Sequence, residues 1–149
     1  MMNVEHEITL SEYQALAEFR YQLRCFLRFS EQAARAVGLE PQQHQLLLAL
    51  KGLPEGRIAT VGELAERLQI QHHSMVELIN RMVDRNLLER SRGEIDQRKV
   101  IINLTSKGDE VLRKLSLLHR TELRSSGPAL VSVLHALIDS ENDSQTRSE

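Results

Sequence analysis

Residues 60–104 read TVGELAERLQIQHHSMVELINRMVDRNLLERSRGEIDQRKVIINL, and their hydrophobic period passes from helical to extended partway along. Thr60 and Glu63 have capping-box spacing, in which hydroxyl and carboxylate each satisfy a free backbone N–H at a helix start. Val61, Leu64, Ala65 and Leu68 then supply the apolar side of a short helix. A few residues on, a second helix begins at His72, with Met75, Leu78, Ile79 and Met82 inward at i, i+3, i+4 and i+7. Asn86, a residue that tolerates the left-handed conformation of a helix C-cap, closes it. Leu88 to Ser91 reads as a short strand and Arg92 to Gln97, with Gly93, as a turn. Arg98 to Leu104 follows as a second strand around the β-favouring run Val100-Ile101-Ile102.

Two short helices joined by a tight turn and followed at once by a hairpin have the order of a winged helix-turn-helix, a mainly α (α+β) fold. The flanks are helical. Thr9 with Glu12 predicts a capped helix start, and Leu16, Phe19, Leu23, Phe26, Ser30, Ala33 and Val37 form one stripe that ends near Gly38. A second stripe with Tyr13, Leu27 and Ala34 makes this helix too apolar to stand alone, so packing against its own chain and a partner chain is expected. Pro41 opens a helix with Leu46, Leu47 and Leu50 buried, and Gly52, Pro54 and Gly56 break it. After the hairpin Thr105 caps another helix, carrying Val111, Leu112, Leu115, Leu118 and Leu123. Gly127-Pro128 is expected to punctuate, with Leu130, Val131, Leu134, Leu137 and Ile138 in a last short helix and a polar, disordered tail from Asp139.

In this order of elements the helix from His72 is the one that enters a major groove, which is about 12 Å wide and admits one helix. With its inward face taken, Gln71, His72, His73, Ser74, Val76 and Glu77 are left to face a duplex. Gln hydrogen-bonds adenine, imidazole approaches guanine or phosphate, and Ser74 with the first-turn N–H groups suits phosphate oxygens. Glu77 accepts from a cytosine amino group or repels wrong sites, and Arg81 and Arg85 lie further along, toward backbone phosphates. The hairpin gathers Arg90, Arg92, Arg98 and Lys99. A guanidinium on a narrow β-tip reaches a minor groove, where narrowing deepens the negative potential. Asp96 and Arg98, two apart, are expected on one side of a strand, the carboxylate holding the arginine extended.

Net charge is −2 over 149 residues, which looks wrong for a nucleic-acid ligand until it is mapped. Residues 1–12 contribute −3 and residues 139–149 another −3, so the body between them carries +4. That is permissive, since phosphate is bound by a local patch. No apolar run approaches the roughly 20 residues that span a bilayer, and the start lacks signal-peptide character, so no membrane association and a cytoplasmic location are expected. A Gly-rich phosphate loop, a nucleophile elbow and standard metal-ligand spacing are all missing from the sequence, so neither enzyme nor cofactor is expected. His73 and Glu77 at i, i+4 beside His72 could chelate, but zinc wants three or four protein ligands, and DNA-facing histidines are the preferred reading. His6, His44, His119 and His135 are scattered.

Several of these segments resemble the MarR family of transcriptional regulators. Asp96-Gln97-Arg98, then Asn103-Leu104-Thr105 and Lys107-Gly108, is similar to that family's wing signature. Leu64-Ala65-Glu66-Arg67-Leu68, Arg81-Met82 and Leu87-Leu88-Glu89-Arg90 resemble its helix-turn-helix and first wing strand, and Leu39-Glu40-Pro41-Gln42-Gln43 its approach to the second helix. The likeness covers roughly residues 10–125, with Asn86 in place of the usual glycine and a short final helix. It implies one domain in which helices 10–37 and 106–140 interlock into a homodimer, 41–104 forms the winged helix-turn-helix, and 141–149 is a disordered acidic tail. It also implies double-stranded DNA as partner, a palindromic operator, repression, and a small-molecule effector in some members. The residues expected at DNA are Gln71, His72, His73, Ser74, Val76, Glu77, Arg81, Arg92, Arg98 and Lys99, with Asp96 supporting the wing and Arg98 entering the minor groove. Two alternatives stand beside this. One is a winged-helix protein–protein adaptor, for which a basic wing has no use. The other is a thiol-based redox regulator using Cys25-Phe26, which resembles the hydroperoxide-sensing branch; the bland reading makes Cys25 a small buried residue.

Overall fold

A computed structural model describes residues 7–146. The element order is α1 (Leu10–Ala36), α2 (Pro41–Lys51), α3 (Val61–Leu68), α4 (His72–Asp84), β1 (Leu88–Arg92), β2 (Val100–Leu104) and α5 (Ser106–Thr146). It is the mainly α winged helix-turn-helix that the sequence predicts, with one antiparallel hairpin. The chain divides into two compact units. Residues 31–118 form one; of the described residues, 7–30 and 119–146 form the other.

The core of the 31–118 unit is aliphatic. Leu46 and Leu47 of α2, Leu64 of α3, Met75, Ile79 and Met82 of α4, Leu88 and Ile102 of the hairpin and Leu115 of α5 are all buried. Each such side chain contributes about 1.5–3 kcal/mol by leaving water, which is why the inward side of α4 is fixed so firmly. α1 ends in a Schellman arrangement: Leu39 N–H reaches the Ala34 carbonyl (2.9 Å), Gly38 N–H reaches Arg35 (3.0 Å), and Gly38 takes φ +82°. Pro41 starts α2, and the Gln43 side chain accepts from the Glu40 N–H at 3.0 Å. The hairpin pairs Leu88 with Leu104, Arg90 with Ile102 and Arg92 with Val100. Ile102 N–H also donates to the Ala59 carbonyl (2.9 Å), so the segment before α3 borders the free edge of β2.

In the other unit, α1 opens with the expected reciprocal cap: Glu12 N–H donates to the Thr9 hydroxyl (3.1 Å) and Thr9 N–H to the Glu12 carboxylate (3.5 Å). Phe26 and Phe29 set their edges around the His119 ring, centroids 6.0 and 5.4 Å away, and His119 Nε2 lies 2.8 Å from the Ser30 hydroxyl.

Two boundary expectations need correction. Gly127-Pro128 does not divide the last segment, because α5 is continuous with Pro128 inside it. A proline clashes with the Cβ of the residue before it, and Gly127 has none. The tail expected to be disordered from Asp139, and named as 141–149, is helical as far as Thr146. With no glycine or proline after Pro128, adding residues to an existing helix costs little compared with nucleating one. Residues 147–149 lie outside the described residues. No helix among the described residues is long and apolar enough to cross a membrane.

Candidate nucleic-acid interface

α3 and α4 are joined by a turn that the sequence does not advertise. Gln69 takes φ +53°, unusual for a non-glycine, and its amide donates to the Glu66 carbonyl (2.8 Å) and carboxylate (3.1 Å). Ile70 N–H reaches the Ala65 carbonyl at 3.1 Å. The capping box expected at Thr60 is only half made. Glu63 N–H donates to the Thr60 hydroxyl (3.2 Å), but Thr60 N–H turns to the Ile58 carbonyl. The Glu63 carboxylate serves Arg67 (3.3 Å) and Arg57 (3.8 Å) instead, because a guanidinium one turn away competes well for a charged acceptor.

On α4, Met75, Leu78, Ile79 and Met82 point into the core as expected, and Gln71, His72, His73, Glu77 and Arg81 are exposed, with Ser74 and Val76 half-buried at the margin. At 3.6 residues per turn the outward ridge opposite the buried side runs through His73, Glu77, Asn80 and Asp84. Asn80 was missed in the sequence reading, although its spacing from His73 and Glu77 would have found it. Gln71 is the N-cap with extended backbone, and its side chain makes no capping bond, which leaves the first-turn N–H groups available to an anionic oxygen.

The wing corrects one piece of geometry. Asp96 and Arg98 lie in the turn, not on a strand, since β2 begins only at Val100. They meet through an Asx turn: Asp96 Oδ1 accepts from the Arg98 N–H (3.0 Å) and from its Nε (3.2 Å). These bonds, the backbone one first, hold the Asp96 carboxyl below its ordinary range. Arg98 keeps 92% of its side chain exposed, so the carboxylate aims the arginine without covering it. Arg92 and Lys99 are exposed beside it. Glu89, Glu94 and Asp96 offset most of the four bases between residues 88 and 104. The wing therefore presents an aimed arginine more than a broad cationic patch.

Two arginines leave the roles the sequence suggests. Arg85 is not directed at phosphates; its guanidinium donates to Gln43 Oε1 (3.0 Å) and the Gly38 carbonyl (2.8 Å), tying the end of α4 to the α1–α2 corner. Arg90 leaves the wing tip and donates to Asn80 Oδ1 on α4. The register explains this: alternation places Arg90 on the face that Leu88 presents to α4.

The motif after the wing has a structural job. Thr105 donates its hydroxyl to the Asn86 carbonyl (2.7 Å) and its N–H to the Leu87 carbonyl (3.2 Å), while accepting from Gly108 N–H (3.0 Å). A Cβ on Gly108 would overlap the Leu87 carbonyl oxygen, so this close approach requires glycine. Lys107 Nζ caps the Arg85 carbonyl (3.1 Å). The end of α4 is thus held by the start of α5.

Away from this surface, Cys25 is exposed, which corrects the expectation of a buried thiol; it lies on α1 with half-exposed apolar neighbours. Tyr21, one turn earlier, has its phenol held above its ordinary range by the neighbouring Cys25 side chain, through hydrogen bonding first and electrostatics second. His44 is buried, with Nδ1 3.4 Å from the Gln45 amide. Among the described residues, no three of His, Cys, Asp and Glu gather as a metal site would require. Leu123, Arg124, Gly127, Pro128, Val131, Ser132 and His135 border an open groove of about 660 Å³ along α5.

The sequence model of the MarR family matches residues 37–99. No curated protein matches the chain by sequence. Among solved structures, the chain is similar to AbsC, a MarR family transcriptional regulator from Streptomyces coelicolor, at 22% identity and TM-score 0.70, covering 97% of this chain and 99% of that one. The transcriptional repressor CouR, bound to a 23-mer DNA duplex, is similar at 29% identity and TM-score 0.61, covering 89% and 99%. A MarR variant from E. coli complexed with operator DNA shares the fold at 17% identity and TM-score 0.61, covering 81% and 88%.

Proposed function

We infer that the protein is a sequence-specific transcription regulator of the MarR kind that binds double-stranded DNA in the cytoplasm, a reading supported by the match of the MarR family model to residues 37–99. In this reading it represses by covering a palindromic operator as a homodimer. The observation that carries the reading is the pairing of one exposed helix edge with one aimed arginine. α4 spends its apolar side on the core and keeps Gln71, His72, His73 and Glu77 outside, while Asp96 holds an almost fully exposed Arg98 on the neighbouring wing. A helix of this kind reads base edges in the major groove, and an arginine at a β-tip follows the minor groove.

Homodimerisation is supported by the unit formed by residues 7–30 and 119–146. It leaves Leu10, Tyr13, Leu16, Leu27, Val131, Leu134 and Ile138 exposed, apolar side chains that a partner chain would take out of water. A two-fold dimer places its recognition helices in major grooves about 34 Å apart, which makes the operator an inverted repeat. Selection of binding sites from a random duplex pool by the purified protein tests this. Recovery of an inverted repeat is expected; failure to enrich any motif favours an adaptor that does not bind DNA.

A second reading, control through Cys25, has one observation in its favour, the exposed thiol on α1 one turn from Tyr21. Peroxide would then lower DNA affinity for the wild type and not for Cys25→Ser. An equal response in both proteins discards it.

A further inference from the structure

The Arg90–Asn80 contact joins the wing strand to the outward ridge of the recognition helix, and the reading above gives neither residue a role there. Asn80 is exposed on that ridge beside Glu77. Its amide oxygen receives the Arg90 guanidinium. The chemistry leaves no choice of orientation: arginine carries donors only, so it must face the amide oxygen and not the amide nitrogen. The NH₂ group is thereby turned away from the hairpin.

An unconstrained asparagine reads adenine, accepting from N6 and donating to N7 at once. Asn80 is not unconstrained. Its acceptor is engaged by a cation, whose field also opposes the approach of a base amino donor. What remains is a donor backed by positive charge, and guanine is the base whose major-groove edge offers two acceptors, O6 and N7, with no donor. We propose that Asn80, oriented by Arg90, is a base-reading residue of α4, and that Arg90 switches it from adenine to guanine. Arg90 is the positioning residue of the pair. Its stem starts on a strand packed against α4, so the switch is built into the hairpin register.

This rests on the DNA-binding reading, and the test separates the two. Wild type, Asn80→Ala, Arg90→Met and the double variant each select sites from one random duplex pool. Arg90→Met keeps the apolar stem and removes the donor, and far-ultraviolet circular dichroism confirms each fold. The wild type is expected to favour guanine at one position of each half-site. Asn80→Ala flattens that position by about fivefold or more, the discrimination one good base contact provides, and leaves the others. Arg90→Met moves the same position toward adenine, and the double variant behaves as Asn80→Ala. Unchanged preferences in Asn80→Ala overturn the inference. So does an adenine preference in the wild type, or an Arg90→Met variant that loses affinity evenly across all sequences, as loss of a phosphate contact would. A wild type that enriches nothing overturns the regulator reading, and this inference with it.

Discussion

Arg98 shows how little a side chain need be buried to be ordered. Its backbone N–H and its Nε converge on one oxygen of Asp96, so the turn that positions the arginine is closed by the same carboxylate that steadies its tip. Both bonds lower the Asp96 pKa. A depressed carboxyl favours the ordered turn at every pH above its ordinary value, and that contribution disappears only as pH falls through the lower folded value. The Arg98 amide chemical shift should therefore hold constant on acidification through the usual carboxylate range and move only below it; movement within that range would deny the Asx turn. If the arginine works in the groove, Arg98→Ala weakens operator binding by about 1–3 kcal/mol with the fold retained. Unchanged affinity in a folded variant removes the wing from the mechanism. The pairing of Asp96 with Arg98 was legible from two letters in the sequence, but its geometry was not, because nothing in the run Arg92 to Lys99 says where the turn stops and β2 begins.

At the scale of elements, the junction between α4 and α5 fixes the C-terminal end of α4. Thr105, Lys107 and Gly108 close on the carbonyls of Arg85, Asn86 and Leu87, and Arg85 reaches back to Gln43 and Gly38. Helix propensity alone would make Gly108→Ala stabilising by about 1 kcal/mol. The Leu87 carbonyl in the space of the new Cβ argues the reverse, a loss of about 1–3 kcal/mol of the kind overpacking produces. The shift of the denaturant midpoint decides between them, and a stabilised variant would show that the approach is looser than described. Element existence was readable because period and caps agreed, as with Thr9 and Glu12 or with Met75 to Met82. Gln69 escaped because its left-handed turn relies on its own amide bonds to Glu66, and not on glycine. Arg85 and Arg90 escaped because an exposed-looking arginine gives no hint that a carbonyl or amide from another element waits for it.

For the whole molecule, α5 is where assembly can be tested. Val131 is 52% exposed in the single chain. Val131→Glu at a true surface would change stability by no more than about 0.5 kcal/mol. In a dimer interface it would strand an unpaired charge, a cost of about 3–5 kcal/mol, and drive the protein toward monomer. Sedimentation at micromolar concentration should show halved mass for the variant; a mass equal to that of the wild type would place the contact elsewhere. The sequence reads α1 as too apolar for one chain, an expectation the sedimentation experiment tests. It also breaks α5 at Gly127-Pro128, because a glycine that spares a proline its clash looks the same on paper as a glycine that ends a helix.

The claim at the centre is that the outer edge of α4 and the wing together grip a duplex whose phosphates the protein neutralises, despite a net charge of −2. The salt dependence of wild-type binding to its selected duplex tests this most directly. A dimer making several phosphate contacts on each half-site should lose about 10³–10⁵ in affinity between roughly 50 and 200 mM salt. Absence of binding at the lowest salt, or affinity that does not change across the series, would contradict it.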